Sequence, residues 1–298
     1  MPILCRPACA QDLEPASDLV VASINDLTER HGLGPMASAS PPSFQMFCLK
    51  DDPDGLWVAE EAGEMLGFAW SWVCGDFWFL AQLFVSPSQQ GRGIGNELLK
   101  RTFEHAQKSG ASQRALITFS FNRVSQGLYI RHGLYPRFPI YFFKVAREKL
   151  LGRLGGPRFR HQPLSEATDL PNLALVDARA FGVSREKHHR YLINDKATRG
   201  VSLWADGDCV GYAYIANGRI GPLAVTTPHA LETAFTTALA FASENGSPAI
   251  SAFLPGTSEA VLKSAVEHGM SITFPMLFMS SRDPGGWTAY LPRNPGFA

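Results

Sequence analysis

Alternation and helical spacing divide the chain into predictable elements. After a short extended run ending at Arg6, residues Leu13, Leu19, Val20 and Ile24 recur at helical spacing, which predicts an amphipathic helix with those residues inward. Gly, Pro and Ser between His31 and Ser43 mark a loop, and a short helix is expected around Phe44 to Lys50. Three runs of aromatic and aliphatic residues follow, Leu56 to Glu60, Met65 to Val73 and Phe77 to Val85, and read as an antiparallel meander. Next come a helix from Ile94 to Ser109, a strand from Ala115 to Phe121, a helix from Val124 to His132 and a strand near Ile140 to Val145. A meander followed by a β-α-β crossover predicts an α/β fold with a mixed, mostly antiparallel sheet flanked by helices.

The pattern then begins again. Gly and Pro concentrate in "LGRLGGPRFR", Leu151 to Arg160, which reads as a linker between domains at 1–150 and 151–298. Beyond it, "HQPLSEATDLPNL" (His161 to Leu173) parallels "LCRPACAQDLEPA" (Leu4 to Ala16), and "GRIGPLAVTTP" parallels "WFLAQLFVSP". "AVEHGM" (Ala265 to Met270) parallels "YIRHGL" (Tyr129 to Leu134). Three similarities in one order indicate an internal duplication.

A length of 298 residues accommodates two such domains. Lys+Arg and Asp+Glu both number 27, so no surplus of either sign points to nucleic acid or an anionic membrane. The longest apolar stretch is broken at Asp76 and no leader pattern opens the chain, so a soluble, cytoplasmic protein is expected, without membrane partners. Cys5, Cys9, Cys48, Cys74 and Cys209 form no C-x-x-C pair and suggest neither a disulfide framework nor a metal site.

The candidate chemistry lies in "SQQGRGIGNELL", Ser88 to Leu99, where a strand gives way to a helix. Glycines there leave backbone N–H groups free at the positive end of the helix dipole, an arrangement suited to a phosphate and also to an ordinary tight turn. Gly91, Gly93 and Gly95 permit positive φ or close approach, while Gln90 and Arg92 offer side-chain donors. Asn96-Glu97 after the last glycine excludes a P-loop, and G-x-G-x-G spacing after three antiparallel strands argues against a dinucleotide fingerprint.

These residues resemble the GNAT superfamily of acyl-CoA-dependent N-acyltransferases. "FVSPSQQGRGIG" is similar to that family's pyrophosphate loop, with Gln90, Gly93 and Gly95 in its defining places. "FNRVSQGLYIRHGL" is similar to its second signature through Asn122, Leu128, Tyr129 and Gly133, with Leu134 replacing the usual aromatic. Together with the opening strand and helix, the likeness covers residues 3 to about 145. It implies two tandem GNAT-like domains and acetyl-CoA as co-substrate, with no metal.

The loop from Gln90 through Gly91, Arg92, Gly93, Ile94 and Gly95 to Asn96 is then expected to hold pyrophosphate. The backbone of Leu83, Phe84 and Val85 is expected to pair with pantetheine as if with a strand. Tyr129 is expected as general acid to the departing sulfur, or else as a tyrosine packed on the sheet. Asn122 either orients pantetheine or caps the next helix.

The chain departs from the family where a carboxylate often takes the amine proton: Ala81 and Gln82 stand there, and Gln is no base at neutral pH. Asp76, Glu60 or a water chain are the remaining candidates. Phe68, Trp70 and Trp72 share one face of their strand, with Trp78 extending it, as core or as a surface toward an apolar acceptor.

The expected activity is acetyl transfer to a small-molecule amine by direct attack in a ternary complex, by a monomer or homodimer. The alternatives are a non-catalytic acyl-CoA sensor module and a protein or peptide N-acetyltransferase. In the second half, "PHALETAFTTAL" (Pro228 to Leu239) has no glycine and Ala265 stands for Tyr129, so that domain is expected to be degenerate, shaping structure or substrate. "REKHHR", Arg185 to Arg190, is expected as a solvated helix face, or else as a contact for an anionic group of a substrate.

Overall fold

The computed structural model describes residues 2–156, 158–244, 246–283 and 287–298. Contacts gather the chain into two compact units, Met1–Ile117 with Phe121–Tyr135, and Thr118–Ser120 with Pro136–Ala298.

The first unit carries β1 (Leu4–Pro7), α1 (Leu13–Arg30), α2 (Ser43–Asp51), β2 (Leu56–Glu61), β3 (Glu64–Cys74), β4 (Phe77–Val85), α3 (Ile94–Ser109), most of β5 (Gln113–Phe119) and α4 (Arg123–Arg131). The strands lie in the order β1-β2-β3-β4-β5, antiparallel except for β4 and β5. Helix α1 buries Leu13, Ala16, Val20 and Ser23, a 3-4-3 spacing that leaves the expected Leu19 and Ile24 half-buried beside the stripe.

Phe68, Trp70 and Trp72 are core residues. Trp72 stacks on Phe79 at 5.1 Å. Alternation therefore sends Trp78 to the opposite face, where it meets Phe103 of α3 at 5.2 Å and does not extend the Phe68 surface. In β3 and β4, Trp70 opposes Gln82 while Ser71 opposes Leu80, so Ala81 is an extra, bulged residue. The parallel pairing of β4 with β5 runs from Phe77 opposite Gln113 to Leu80 opposite Leu116 and stops at that bulge.

The second unit holds β6 (Tyr135–Ala146), α5 (Arg147–Leu151), β7 (Arg160–Pro163), α6 (Glu166–Ala180), α7 (Glu186–Asn194), β8 (Thr198–Ala205), β9 (Asp208–Ala216) and β10 (Arg219–Val225). It continues with α8 (Leu231–Ser243), β11 (Ala249–Pro255), α9 (Glu259–Glu267), β12 (Ser271–Ser280) and β13 (Tyr290–Leu291). From β7 to β12 the order of strands and α-helices repeats that from β1 to β6. Its sheet runs β12-β6-β11-β10-β9-β8-β7, with β13 added to β10.

Strand β6 is longer than its apolar core suggested, and it pairs with β11 from Ala146 opposite Ala249 to Ile140 opposite Pro255. By contacts it belongs with the second unit, ahead of the linker read from composition at 151–160.

The cluster at Arg185 to Arg190 corrects the expectation of a solvated face. Arg185, His188 and His189 are buried and Lys187 is half-buried, whereas Arg190 meets the expectation, pairing at the surface with Glu166 and Glu186. The burial has a local cause. Asp177 on α6 takes Arg185 Nη2 at 2.8 Å, Arg185 Nε at 3.1 Å and His189 Nε2 at 3.0 Å, so charge is met within the core. Burial works to raise the Asp177 carboxyl, but Arg185 and His189 outweigh it and hold the group well below the usual carboxylate range.

Candidate functional site

The strand edge comes first. Ser86 N donates to Leu66 O at 2.9 Å, so Ser86 faces β3. Alternation turns Val85 and Leu83 the other way, toward the side that β5 has left, and keeps the backbone of Phe84 on β3. Val85 O confirms this direction, accepting from Ser23 Oγ and Gln90 Nε2, both at 3.3 Å. Of the three residues expected to pair with an extended ligand, Leu83 and Val85 turn their backbone to the side β5 has left, and Phe84 turns its backbone to β3.

The glycine loop meets that edge. Gly91 and Gly93 have φ of 83° and 84°, a left-handed conformation that disfavours any side chain. A Cβ at either would find open space within 4 Å, so the restriction is conformational. Gly95 differs: it has ordinary helical geometry, and a Cβ there would lie 3.7 Å from Val85 Cγ2 and 3.9 Å from Leu128 Cδ2, ordinary contacts. Asn96 and Glu97 both donate to Gly93 O at 3.1 Å and are the first helix amides to find a backbone acceptor. The amides of Ile94 and Gly95 precede them at the positive end of α3.

Neighbouring side chains are already engaged. Arg92 Nη1 reaches Gln89 Oε1 at 2.5 Å and Glu61 Oε2 at 3.1 Å, which cancels the charge of the acid nearest the loop. Asn96 Oδ1 lies 2.8 Å from His132 Nε2, tying the start of α3 to the end of α4. Burial, then Arg131, Lys100 and Arg114, lower the His132 pKa, so the neutral ring donates this bond. Asn122 Oδ1 accepts from Ser125 N at 3.2 Å, which makes it the N-cap of α4.

Tyr129 on α4 is 5% exposed. Burial pushes its phenol above the ordinary tyrosine range and Ser125 pulls weakly the other way, so the group carries its proton throughout the neutral range.

Both carboxylates proposed as bases are bound elsewhere. Asp76 accepts from Ser112 N and Ser112 Oγ, both at 2.6 Å, at the far end of β4. Glu60 accepts from Arg6 Nη2 at 2.8 Å, and Arg6 also holds Asp12. Gln82 is a different matter. Its Oε1 is buried without a hydrogen-bond partner, as is the Nε1 of Trp70 opposite it, and the edge of Phe44 from α2 lies 5.2 Å from the Trp70 ring.

Spacing along the chain gave no hint of a second constellation, Ser71, His105 and Asp52. His105 Nδ1 lies 2.9 Å from Ser71 Oγ and Nε2 lies 3.0 Å from both Asp52 oxygens. The order of groups matches a nucleophile relay, but Ser71 is 0% exposed in the middle of β3. Substrate has no access to it, and the chain of bonds fastens α3 across the sheet to the turn after α2.

Residues 23–134 match the acetyltransferase (GNAT) family. An uncharacterized N-acetyltransferase of Methanocaldococcus jannaschii is 33% identical over 72 residues, 21% of this chain and 30% of that protein. One from Archaeoglobus fulgidus is 34% identical over 74 residues, 22% of this chain and 48% of its own length. The chain thus spans less than half the length of these curated relatives. Among solved structures, a candidate acetyltransferase from Pyrococcus horikoshii has a TM-score of 0.77 at 17% identity, over 99% of this chain and 96% of its own. A tandem GNAT protein from the clavulanic acid biosynthesis pathway scores 0.60 at 14% identity, over 95% and 99%. At such identities the likeness is one of fold. Among the described residues no helix is long and apolar enough to cross a membrane. The segment 23–134 that matches the acetyltransferase (GNAT) family contains the open strand edge, the glycine loop and α4.

Proposed function

We propose that the chain is an N-acetyltransferase whose first unit transfers an acetyl group from acetyl-CoA to the amine of a small molecule. One coincidence carries this reading. The edge of β4 is released at the Ala81 bulge, and the same strand runs directly into a left-handed glycine loop at the start of α3. Two kinds of backbone donor converge there, strand amides at Leu83 and Val85 and helix amides at Ile94 and Gly95.

Those donors fit the donor molecule's pantetheine arm and pyrophosphate, and Gly91 and Gly93 leave room for the latter. Bound there, acetyl-CoA supplies the acyl group as a thioester. Tyr129 holds its proton at Oη for the departing sulfur, because burial opposes its ionisation. The unpartnered Gln82 Oε1 offers an acceptor for an N–H of the incoming amine, which orients it without removing its proton. The proton leaves to water. The second unit, with Ala265 in place of Tyr129 and no glycine at the start of α8, is read as degenerate.

The acyl-CoA sensor remains a second reading because Gln82 stands where a base is needed. Thiol release separates the two. Acetyl-CoA is incubated with a panel of amines, amino acids and short peptides, alongside Gly93→Glu and Tyr129→Phe. Turnover that Gly93→Glu abolishes is expected; binding without turnover selects the sensor, and turnover confined to peptides selects a protein acceptor.

A further inference from the structure

The duplicated fold contains the β4–β5 opening twice. In the second unit, β10 pairs parallel with β11 at Arg219 opposite Ser251 and Ile220 opposite Ala252, then bulges before Leu223. The corresponding strands of the first unit separate at the same step, after Leu80 and just before Ala81. Beyond it, however, the edge of β10 is already paired: Leu223 opposes Leu291 and Ala224 opposes Tyr290, antiparallel. We propose that the second opening is an extended-peptide site whose resident ligand is the chain's own segment Trp287–Ala298, lying where the first unit takes the pantetheine arm. This rests on the reading of the β4 edge as the donor slot.

The fit of the segment is close. Gly221, at φ 130°, admits no side chain, and a Cβ there would collide with the Pro292 carbonyl. Pro292 has no N–H, which ends the added strand after two residues. Tyr290, Leu291 and Ala298 are 0% exposed. Arg185 Nη1 donates to Tyr290 Oη at 2.6 Å and to Ala298 O at 2.8 Å, while Arg293 Nη2 donates to Thr198 Oγ1 at 2.9 Å. Trp287 packs 4.5 Å from Phe278, and Phe297 packs 5.0 Å from His188. Strand pairing and ring burial thus occupy the edge of β10 that corresponds to the β4 edge of the first unit. A donor thioester has no free edge to pair with in this slot.

The test uses three proteins: the full chain, a chain ending before Trp287, and full-length Gly221→Val. Hydrogen exchange is read on peptides containing Leu223 to Val225. The amides of Leu223 and Val225, which alternation turns away from β9, are expected to exchange at least 100-fold faster in the shortened chain and in Gly221→Val, and a synthetic peptide of residues 287–298 is expected to restore protection to the shortened chain. Should the shortened chain fail to fold, Gly221→Val gives the same reading. Protection unchanged in both variants overturns the proposal. Calorimetry with CoA on the full chain is expected to give one site, lost in Gly93→Glu. Two sites per chain overturn the resident-ligand proposal, whereas one site untouched by Gly93→Glu overturns the donor-slot reading on which it rests.

Discussion

The two openings of the duplicated fold show how one backbone event is put to different ends. In both units a parallel pair of strands parts at a bulge, after Leu80 in one and after Ile220 in the other. In the first, a glycine loop with two left-handed residues follows, and the edge stays available. In the second, α8 begins without glycine and the edge is closed by β13. Backbone N–H groups released by a bulge must be met, and in the second unit β13 meets them, in register with Leu223 and Ala224.

The comparison breaks most visibly at Arg185. Removing its charge in Arg185→Leu leaves the buried Asp177 with His189 and the Tyr212 hydroxyl but without its guanidinium, and is expected to cost about 3–5 kcal/mol in denaturant unfolding of the second unit. CoA affinity of the first unit should not change if the two openings are independent. Gly93→Glu is next: a left-handed Glu that also brings a carboxylate to the anion site should weaken CoA at least ~100-fold by calorimetry. Tyr129→Phe should lower kcat about 100-fold with little change in KM for acetyl-CoA, within the range for loss of a positioned acid.

A smaller effect comes from pH. Burial lowers the His188 pKa well below its usual 6.5, with Arg185 next in effect, so the folded state resists a proton that the unfolded chain accepts. Stability is therefore fully present above about pH 6.5 and falls as pH drops below it, by up to about 1.4 kcal/mol per unit in denaturant titrations. His188→Gln should flatten that slope. Least affected is Arg92→Ala, which removes an exposed pair with Glu61 and should alter stability by less than about 1 kcal/mol. It should weaken CoA only a few-fold if the loop backbone holds the donor as proposed.

Much of this was legible in the chain. The strand from Phe77 to Val85 falls where its continuous apolar run placed it, and the helix from Ile94 to Ser109 where helical spacing placed it. The glycine loop was legible too, since positive φ at Gly91 and Gly93 tolerates little else. The separation of β4 from β5 was not, because a bulge at Ala81 depends on register with β3 and leaves no mark in composition. The burial of Arg185 and His189 also escaped notice. Their partners Asp177, Tyr212 and Tyr290 are scattered over more than a hundred positions, so a local charge run looked solvated. The relay of Ser71, His105 and Asp52 was hidden for the same reason.

Strand β6 carries a practical lesson for anyone dividing this gene. Seven consecutive residue pairs with β11 make it an interior member of the later sheet, although it is translated before the Gly/Pro-rich junction. Scissors placed at residue 150 would strip that sheet of its middle and leave a sticky, unmatched border on β11. Expressed separately, the downstream fragment needs the whole of β6, from Tyr135, to keep the bonds between β6 and β11.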